Sequence, residues 1–327
     1  SAFKPFVYLT AMQNGYSPAS VIEDKEEEFS PGWKPQNSDR AWHGKVSLRT
    51  ALARSINVPT VKLAQEVGVS KIISNAEKMG ITTLVDSGAY SDANLAMALG
   101  GLSKGVNPLE MAAAYGVLAS NGMYCKPIAL LKIVDREGKV LYEAKPEAKR
   151  VIDAEAAYLT TNMLEDVLVS GTAGGMGIGR PAAGKTGTTD TYIDAWFVGY
   201  TPDLSTAVWV GDDNNKPMQR MYGSGVPLSI WHEFMINALA STPRTGFSNP
   251  GVAIPTEPEI KQDEEEKDKD GKYIRQERYA GSCSRSFYIG NEVDPAAVTA
   301  KFENGILQIS VPKASRQLPA KSTVEIK

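Results

Sequence analysis

The sequence predicts an α+β protein, in which helices flank an antiparallel sheet and a small all-β segment follows. Three observations predict it. Ala183 to Thr188, Ala195 to Tyr200 and Thr206 to Val210 are short apolar or alternating runs parted by turn residues, the pattern of an antiparallel meander. Stretches with helical signals precede and follow them. After about Pro255 the composition changes, first to a charged run and then to short strand-like runs. The expected organisation is therefore a domain over 1–255, a charged linker or loop over 256–272, and a β segment over 273–327.

The elements follow in order. Pro5 to Gln13 reads as a helix, with Pro5 in the first turn, where its missing N–H costs nothing. Glu23 to Trp42 is polar and carries Pro31, Gly32 and Pro35, so it reads as a surface loop. Val46 to Arg54 and Val58 to Val67 read as two short helices. Asn107-Pro108 opens another helix, which reaches about Ser120 and stops at Asn121-Gly122. Pro127 to Ala144 reads as a hairpin turning at Asp135 to Gly138. Asp153 is placed to cap a helix reaching Val169. The glycines from Gly171 to Gly184 imply a stretch that is flexible or tightly wrapped. Pro227 to Leu239 reads as a helix with Trp231, Phe234 and Met235 on one face. The nearly all-charged run from Glu257 to Lys272 is of a kind normally solvated. Beyond it Ser286 to Ile289, Val298 to Phe302, Leu307 to Val311 and Val324 to Ile326 read as strands, with Asn304-Gly305 a strong hairpin signal.

Composition narrows the function. The 327 residues are 42% hydrophobic and 22% charged with net charge -3, an ordinary soluble balance that argues against nucleic acid as the main partner. No apolar run reaches the roughly 18 residues of a membrane span. Cys125 and Cys283 are far apart and read as buried or inert thiols, not a disulfide framework or metal cluster. Only His43 and His232 are present, too few histidines for a His-rich metal site. No cofactor is expected. The shortage of histidine favours a serine chemistry whose base is lysine.

Three short motifs fit that chemistry. Ser1-Ala2-Phe3-Lys4 is S-x-x-K, Ser55-Ile56-Asn57 is S-x-N, and Lys185-Thr186-Gly187-Thr188 is K-T-G-T. Each is weak alone; their order and wide spacing make the set specific. On a helix the Ser1–Lys4 spacing puts both side chains on one face, with about 5–6 Å between Cβ atoms. A serine hydroxyl needs a neighbouring base. Lys4 can be that base if burial or a nearby positive charge lowers its pKa, and Lys185 could supply the charge. Ser55 and Asn57 are expected on a turn facing a cleft. The Ser55 hydroxyl can shuttle a proton towards a leaving amine. The Asn57 amide can hold a substrate carbonyl or orient Lys4. Lys185 can attract a carboxylate that Thr186 and Thr188 bond, and Gly187 allows close backbone approach. The N–H groups of Ser1 and Thr188 would form an oxyanion hole, where one lost donor typically costs about 10²–10³ in rate. Gly179 to Thr186 also matches G-x-x-x-x-G-K-T literally. A phosphate loop must lead into a helix, however, and strands are expected here.

On these motifs, together with Arg54-Ser55-Ile56-Asn57-Val58-Pro59 and Asp194-Ala195-Trp196-Phe197-Val198-Gly199-Tyr200, residues 1 to about 255 resemble the transpeptidase domain of class A penicillin-binding proteins, 1A type. The resemblance implies a sheet flanked by helices and a peptidoglycan D,D-transpeptidase. Ser1 would be acylated by the penultimate D-alanine of a stem peptide, and an amine from a neighbouring stem would resolve the acyl-enzyme. β-Lactams would trap Ser1. It implies an extracytoplasmic (periplasmic) site of action, with membrane attachment only through a segment that this chain does not carry. On this reading the chain begins inside the domain. A hydrolase of the same fold, a β-lactamase or D,D-carboxypeptidase, is the alternative. The E-x-x-L-N loop of class A β-lactamases is not found between the second and third motifs.

Residues 258–327 resemble the later half of a small heat-shock protein, an α-crystallin domain. Ala300 to Leu307, followed by Val311-Pro312-Lys313, carries the likeness. By that resemblance Val324-Glu325-Ile326 would serve self-association, the segment alone would suggest a cytoplasmic protein, and a chaperone-like assembly module becomes the alternative of another class.

Overall fold

The computed structural model describes residues 1–255, together with the backbone of 299–303 and 306–310. The meander is present. Strands β7 (Ala183–Thr188), β8 (Asp194–Tyr200) and β9 (Ser205–Gly211) form a three-stranded antiparallel sheet in that order. Lys185 stands opposite Val198, and Gly187 opposite Trp196. Period-two alternation sends neighbouring side chains of β8 to opposite faces. Phe197 and the bare Cα of Gly199 meet Trp231 of helix α7 (Val226–Ala238), whose indole N–H donates to the Gly199 carbonyl at 3.0 Å. Tyr200 points the other way. It meets Tyr115 of α5 (Pro108–Ala119) edge-on and bonds Thr161 of α6 (Ala154–Val169). The expected helix-flanked antiparallel sheet is thus what the chain builds.

Helix α1 (Lys4–Gln13) lies inside the helical layer and is buried from Lys4 to Met12. A helix with no wet face belongs in a core. It packs against α2 (Leu48–Ala53), α3 (Asn57–Val67), α4 (Val69–Lys78) and α6. Burying each of its Phe6 and Leu9 side chains contributes roughly 1.5–3 kcal/mol. Asn107 accepts from the Glu110 N–H at the start of α5, as an N-cap should. Asp153 occupies the same position before α6, but its carboxylate accepts from Gln13 and makes no cap bond.

Several expectations need correction. The helix expected from Val46 starts only at Leu48. Val46 lies in strand β2 (Gly44–Ser47), which pairs with β1 (Val21–Asp24), and Ser47 is the cap. Hence Glu23 and Asp24, expected in a loop, are strand. Helix α4 went unread although Ile72, Ile73 and Ala76 are spaced for one buried face. A 3-10 turn at Leu95–Leu99, and the pairing of β3 (Met123–Cys125) with β6 (Ala148–Arg150), also went unread. Phe234 leaves its expected face: Trp231 and Met235, four apart, are buried, while Phe234 is 48% exposed. Cys125 is exposed, not buried. The hairpin is present as β4 (Lys132–Val134) and β5 (Val140–Glu143).

The chain divides into two compact units, Ser1–Asp263 and Glu264–Lys327. In the second, β10 (Thr299–Glu303) pairs antiparallel with β11 (Ile306–Ser310). These strands are one residue out of step with the expected runs from Val298 and Leu307. The expected linker 256–272 and the strands at Ser286 and Val324 lie outside the described residues. So does the oligomerisation tag.

Candidate active site

The three motifs converge where α1, the α2–α3 turn and β7 meet. Ser1 precedes α1 by one tight turn, closed by the Lys4 N–H donating to the Ser1 carbonyl at 3.0 Å. Ser1 therefore stands on a turn before the helix, not on the helix face where it was expected beside Lys4. Tyr115 of α5 pins that turn by donating to the Ala2 carbonyl at 2.6 Å. The Ser1 nitrogen, a chain-terminal amine, donates one hydrogen to the Leu99 carbonyl at 2.7 Å. Among the described residues Ser1 Oγ makes no hydrogen bond. A nucleophile without a bonded base is common before substrate binds.

Ser55 lies on the turn between α2 and α3 at φ 58°. This left-handed conformation is uncommon for serine and costs of order 1–3 kcal/mol. It points the hydroxyl between two amines: Lys4 Nζ donates to Ser55 Oγ at 3.2 Å, and Lys185 Nζ does so at 2.8 Å. Lys4 Nζ also donates to the Ser55 carbonyl at 2.6 Å, the Ile56 carbonyl at 3.3 Å and Asn57 Oδ1 at 2.6 Å. Lys185 Nζ has the Thr186 carbonyl at 3.1 Å as its other partner. Both lysines are fully buried, and among the described residues neither is in an ion pair. Burial disfavours the ammonium form. It holds Lys4 well below the usual lysine value, with the Lys185 charge pushing the same way. Burial alone brings Lys185 down to about 7. Two poorly stabilised amines sharing one hydroxyl can pass a proton among themselves.

Strand β7 supplies the opposite wall. Gly187 allows a close approach there: a Cβ would lie 3.1 Å from the Ala2 nitrogen and 3.2 Å from Trp196 Cβ. A side chain there would need the Ser1 turn or Trp196 to give by a few tenths of an ångström. Thr186 and Thr188 were expected to bond a carboxylate. The Thr188 hydroxyl accepts from the Gly223 N–H at 3.0 Å and keeps its own proton to donate. The Thr186 hydroxyl shares a 2.7 Å bond with Thr172. The phosphate-loop pattern over 179–186 runs into β7 and not into a helix.

Sequence reasoning missed three supporting residues. Thr172 sits in the glycine-crowded stretch after α6, and its N–H donates to the Ala53 carbonyl at 3.1 Å. Tyr115 reads as an ordinary core aromatic. Asn37 lies in the segment taken for a surface loop, yet it is only 4% exposed. Its signal is tertiary, since its partners at Asn57 and Val58 are twenty residues away.

An edge strand bearing K-T-G, helices on both faces of its sheet, and a lysine-rich cluster beneath it define a protein of the penicillin-binding class. Residues 1–235 match the family model of the penicillin binding protein transpeptidase domain, and the chain belongs to that family. Residues 252–327 match the Hsp20/alpha crystallin family model. Penicillin-binding protein 1A of Aquifex aeolicus is 39% identical over 257 residues, covering 76% of this chain and 34% of the relative. The protein of the same description from Clostridium botulinum strain Hall is 36% identical, over 78% of this chain and 32% of the relative. The chain thus spans about a third of these relatives. The structure of PonA1 from Mycobacterium tuberculosis in complex with penicillin V superposes with a TM-score of 0.72 at 29% identity, over 79% of this chain and 74% of that one. Penicillin-binding protein 1A of Haemophilus influenzae gives 0.70 at 28% identity, over 77% of this chain and 43% of that one.

Proposed function

We propose that this chain carries a peptidoglycan D,D-transpeptidase, acting through an acyl-enzyme on Ser1 and inhibited by penicillin. The observation that carries the reading is Ser55 Oγ held between the two buried amines of Lys4 and Lys185. The neutral Lys4 amine takes the Ser1 hydroxyl proton as Ser1 Oγ bonds to the carbonyl carbon of the penultimate D-alanine. The C–N bond to the terminal D-alanine then breaks, and its nitrogen receives the proton from Lys4 through the Ser55 hydroxyl. Lys185, in its charged form, holds the donor's terminal carboxylate beside the hydroxyls of Thr186 and Thr188. An amine from a second stem peptide attacks the acyl carbon, releases Ser1 Oγ and returns the proton along the same path. Asn57 orients Lys4, because its Oδ1 is occupied by the Lys4 amine. The roles follow general acid–base logic: burial lowers the pKa of both amines, so each gives up its proton more readily than a lysine in water. The site of action is the extracytoplasmic face of the bacterial cytoplasmic membrane. Among the described residues no helix is long and apolar enough to cross a membrane.

Intact-mass spectrometry after incubation with a penicillin, with peptide mapping, tests this. A stable acyl adduct on Ser1, lost in Ser1→Ala, is expected. Rapid release would favour the hydrolase reading, and a folded chain with no adduct would overturn the enzymatic one. A second reading concerns residues 252–327 alone, on the strength of their family match: a chaperone-like assembly module. Suppression of client aggregation by the full chain would support it.

A further inference from the structure

We propose that Asn37, with the Gln36 carbonyl beside it, is the positioning residue that sets the direction of the Lys4 lone pair; this rests on the transpeptidase reading above. Helix α3 begins at Asn57, and its N-cap residue is Ile56, which has no side-chain acceptor for the first free N–H groups. Asn37 supplies one from across the fold. Its Oδ1 accepts from Asn57 N at 2.9 Å and from Val58 N at 3.4 Å. Its Nδ2 donates to Asp24 Oδ2 and to the Ala41 carbonyl, both at 2.8 Å. Two donors face the oxygen and two acceptors face the nitrogen, so the amide can sit only one way round. Asp24 is itself fully buried. One of its oxygens is spent on Asn37 and on the His43 N–H, and the other has no partner among the described residues.

The consequence reaches the base through Asn57. The Gln36 carbonyl accepts from Asn57 Nδ2 at 2.7 Å, which forces Asn57 Oδ1 towards Lys4 Nζ at 2.6 Å. A neutral amine has two N–H bonds and one lone pair. The two shortest acceptors around Lys4, the Ser55 carbonyl and Asn57 Oδ1, both at 2.6 Å, take the two N–H bonds. The lone pair is then left for a hydroxyl proton. Were the Asn57 amide reversed, its own N–H would bond that lone pair and the base would be silenced. The Gln36 carbonyl forbids the reversal, and Asn37, through the Asn57 and Val58 N–H groups, fixes the start of α3 that brings the Asn57 amide to that carbonyl; among the described residues Asn37 makes no hydrogen bond to Lys4.

The test is stopped-flow acylation of the full chain by benzylpenicillin, resolved into non-covalent binding and the acylation rate per labelled Ser1. Asn37→Ala should slow acylation about 10–100-fold with binding nearly unchanged, the size expected when a reacting group is misplaced by about 1 Å. The loss should vanish in the Asn57→Ala background, because Asn37 acts through Asn57. A purely structural role would lower the fraction of chains labelled and leave the rate per labelled site alone. Should Asn37→Ala not fold, Asn37→Ser keeps one acceptor for α3 and should show a smaller loss of the same kind. An unchanged rate per site, or a loss undiminished in the Asn57→Ala background, overturns the inference alone. Absence of labelling in the unsubstituted folded chain overturns the transpeptidase reading, and this inference with it.

Discussion

The lysine pair and the β4–β5 hairpin break the same rule in opposite directions. Lys4 and Lys185 are wholly buried with no carboxylate against either among the described residues. Leu131, Leu141 and Val134 of the hairpin are 68%, 61% and 50% exposed. Charged side chains are almost never fully buried unless paired, whereas exposed apolar side chains are common on folded surfaces. The two exceptions therefore differ in what they demand. Holding amines in the core opposes folding and needs the packed helices, the strained Ser55 turn and the Asn37 cap to enforce it. Leaving leucines on a surface needs nothing. Tight functional constraint is expected at the first place and wide tolerance at the second.

The largest effect is expected at Lys4. Lys4→Met keeps the volume of the side chain and removes the base. Acylation of Ser1 by penicillin should fall by about 10²–10⁴, the usual worth of a positioned proton acceptor. Non-covalent binding should change little, since the amine faces Ser55 and Asn57. Labelling kinetics on a chain shown to be folded by near-ultraviolet circular dichroism measure this. A loss confined to binding would move Lys4 out of the proton path.

Lys185 should respond in the opposite sense. Lys185→Met should weaken donor binding about 10–100-fold, the equivalent of one charge-assisted hydrogen bond of about 1.5–3 kcal/mol, with a smaller effect on the acylation step. Unchanged labelling would contradict a carboxylate-binding role. The same lysine makes stability depend on pH, and the sign follows from the direction of its shift. Its amine titrates at about 7 in the fold, against about 10.4 in an unfolded chain. Below pH 7 both states hold the proton, and the cost of a buried charge is fully present. Between about pH 7 and 10.4 the unfolded chain binds more protons, so stability rises with pH, by at most about 1.4 kcal/mol per pH unit for each such group. Lys4 is shifted the same way and adds to the rise. Melting temperature should climb between about pH 7 and 9, and less steeply in Lys185→Met. Equal slopes in the two chains would mean that the Lys185 charge is not buried in solution.

How much of this was readable in advance follows from the range of each signal. Ser1, Lys4, Ser55, Asn57 and Lys185 stand in short motifs whose spacing survives without the fold. The meander is legible because alternation is a local pattern, and the K-T-G strand came with it. Asn107 was legible as a cap because its partner lies three residues away. Asn37 was not: it caps a helix that begins twenty residues later, from a segment whose prolines, glycine and charges all signal loop. Thr172 was hidden in the same manner, its partner Thr186 being fourteen residues along and in register only once α6 and β7 have packed. Ser47 and Val46 were misassigned because a short strand and a short helix abut without a breaker. Helix α4 is a different case, for the spacing of Ile72, Ile73 and Ala76 was there to be read.

The smallest effect is expected in the hairpin. β4 and β5 pair only with each other, and every residue of both strands is exposed. Lys132 and Glu143 face each other across the ladder at 3.4 Å, a pair half in water and worth little. A two-stranded ribbon of this kind is marginal without a surface to lie on. Replacing Leu131 and Leu141 together by serine removes little buried area, so global stability should stay within about 0.5 kcal/mol and the acylation rate should not change. Denaturant unfolding and penicillin labelling of the double variant measure both. A loss of more than about 1 kcal/mol, beyond what surface substitutions give, would show that these leucines are covered in solution. The contrast between an enforced interior and an unconstrained surface would then fail at its exposed end, while the lysine pair would stand as argued.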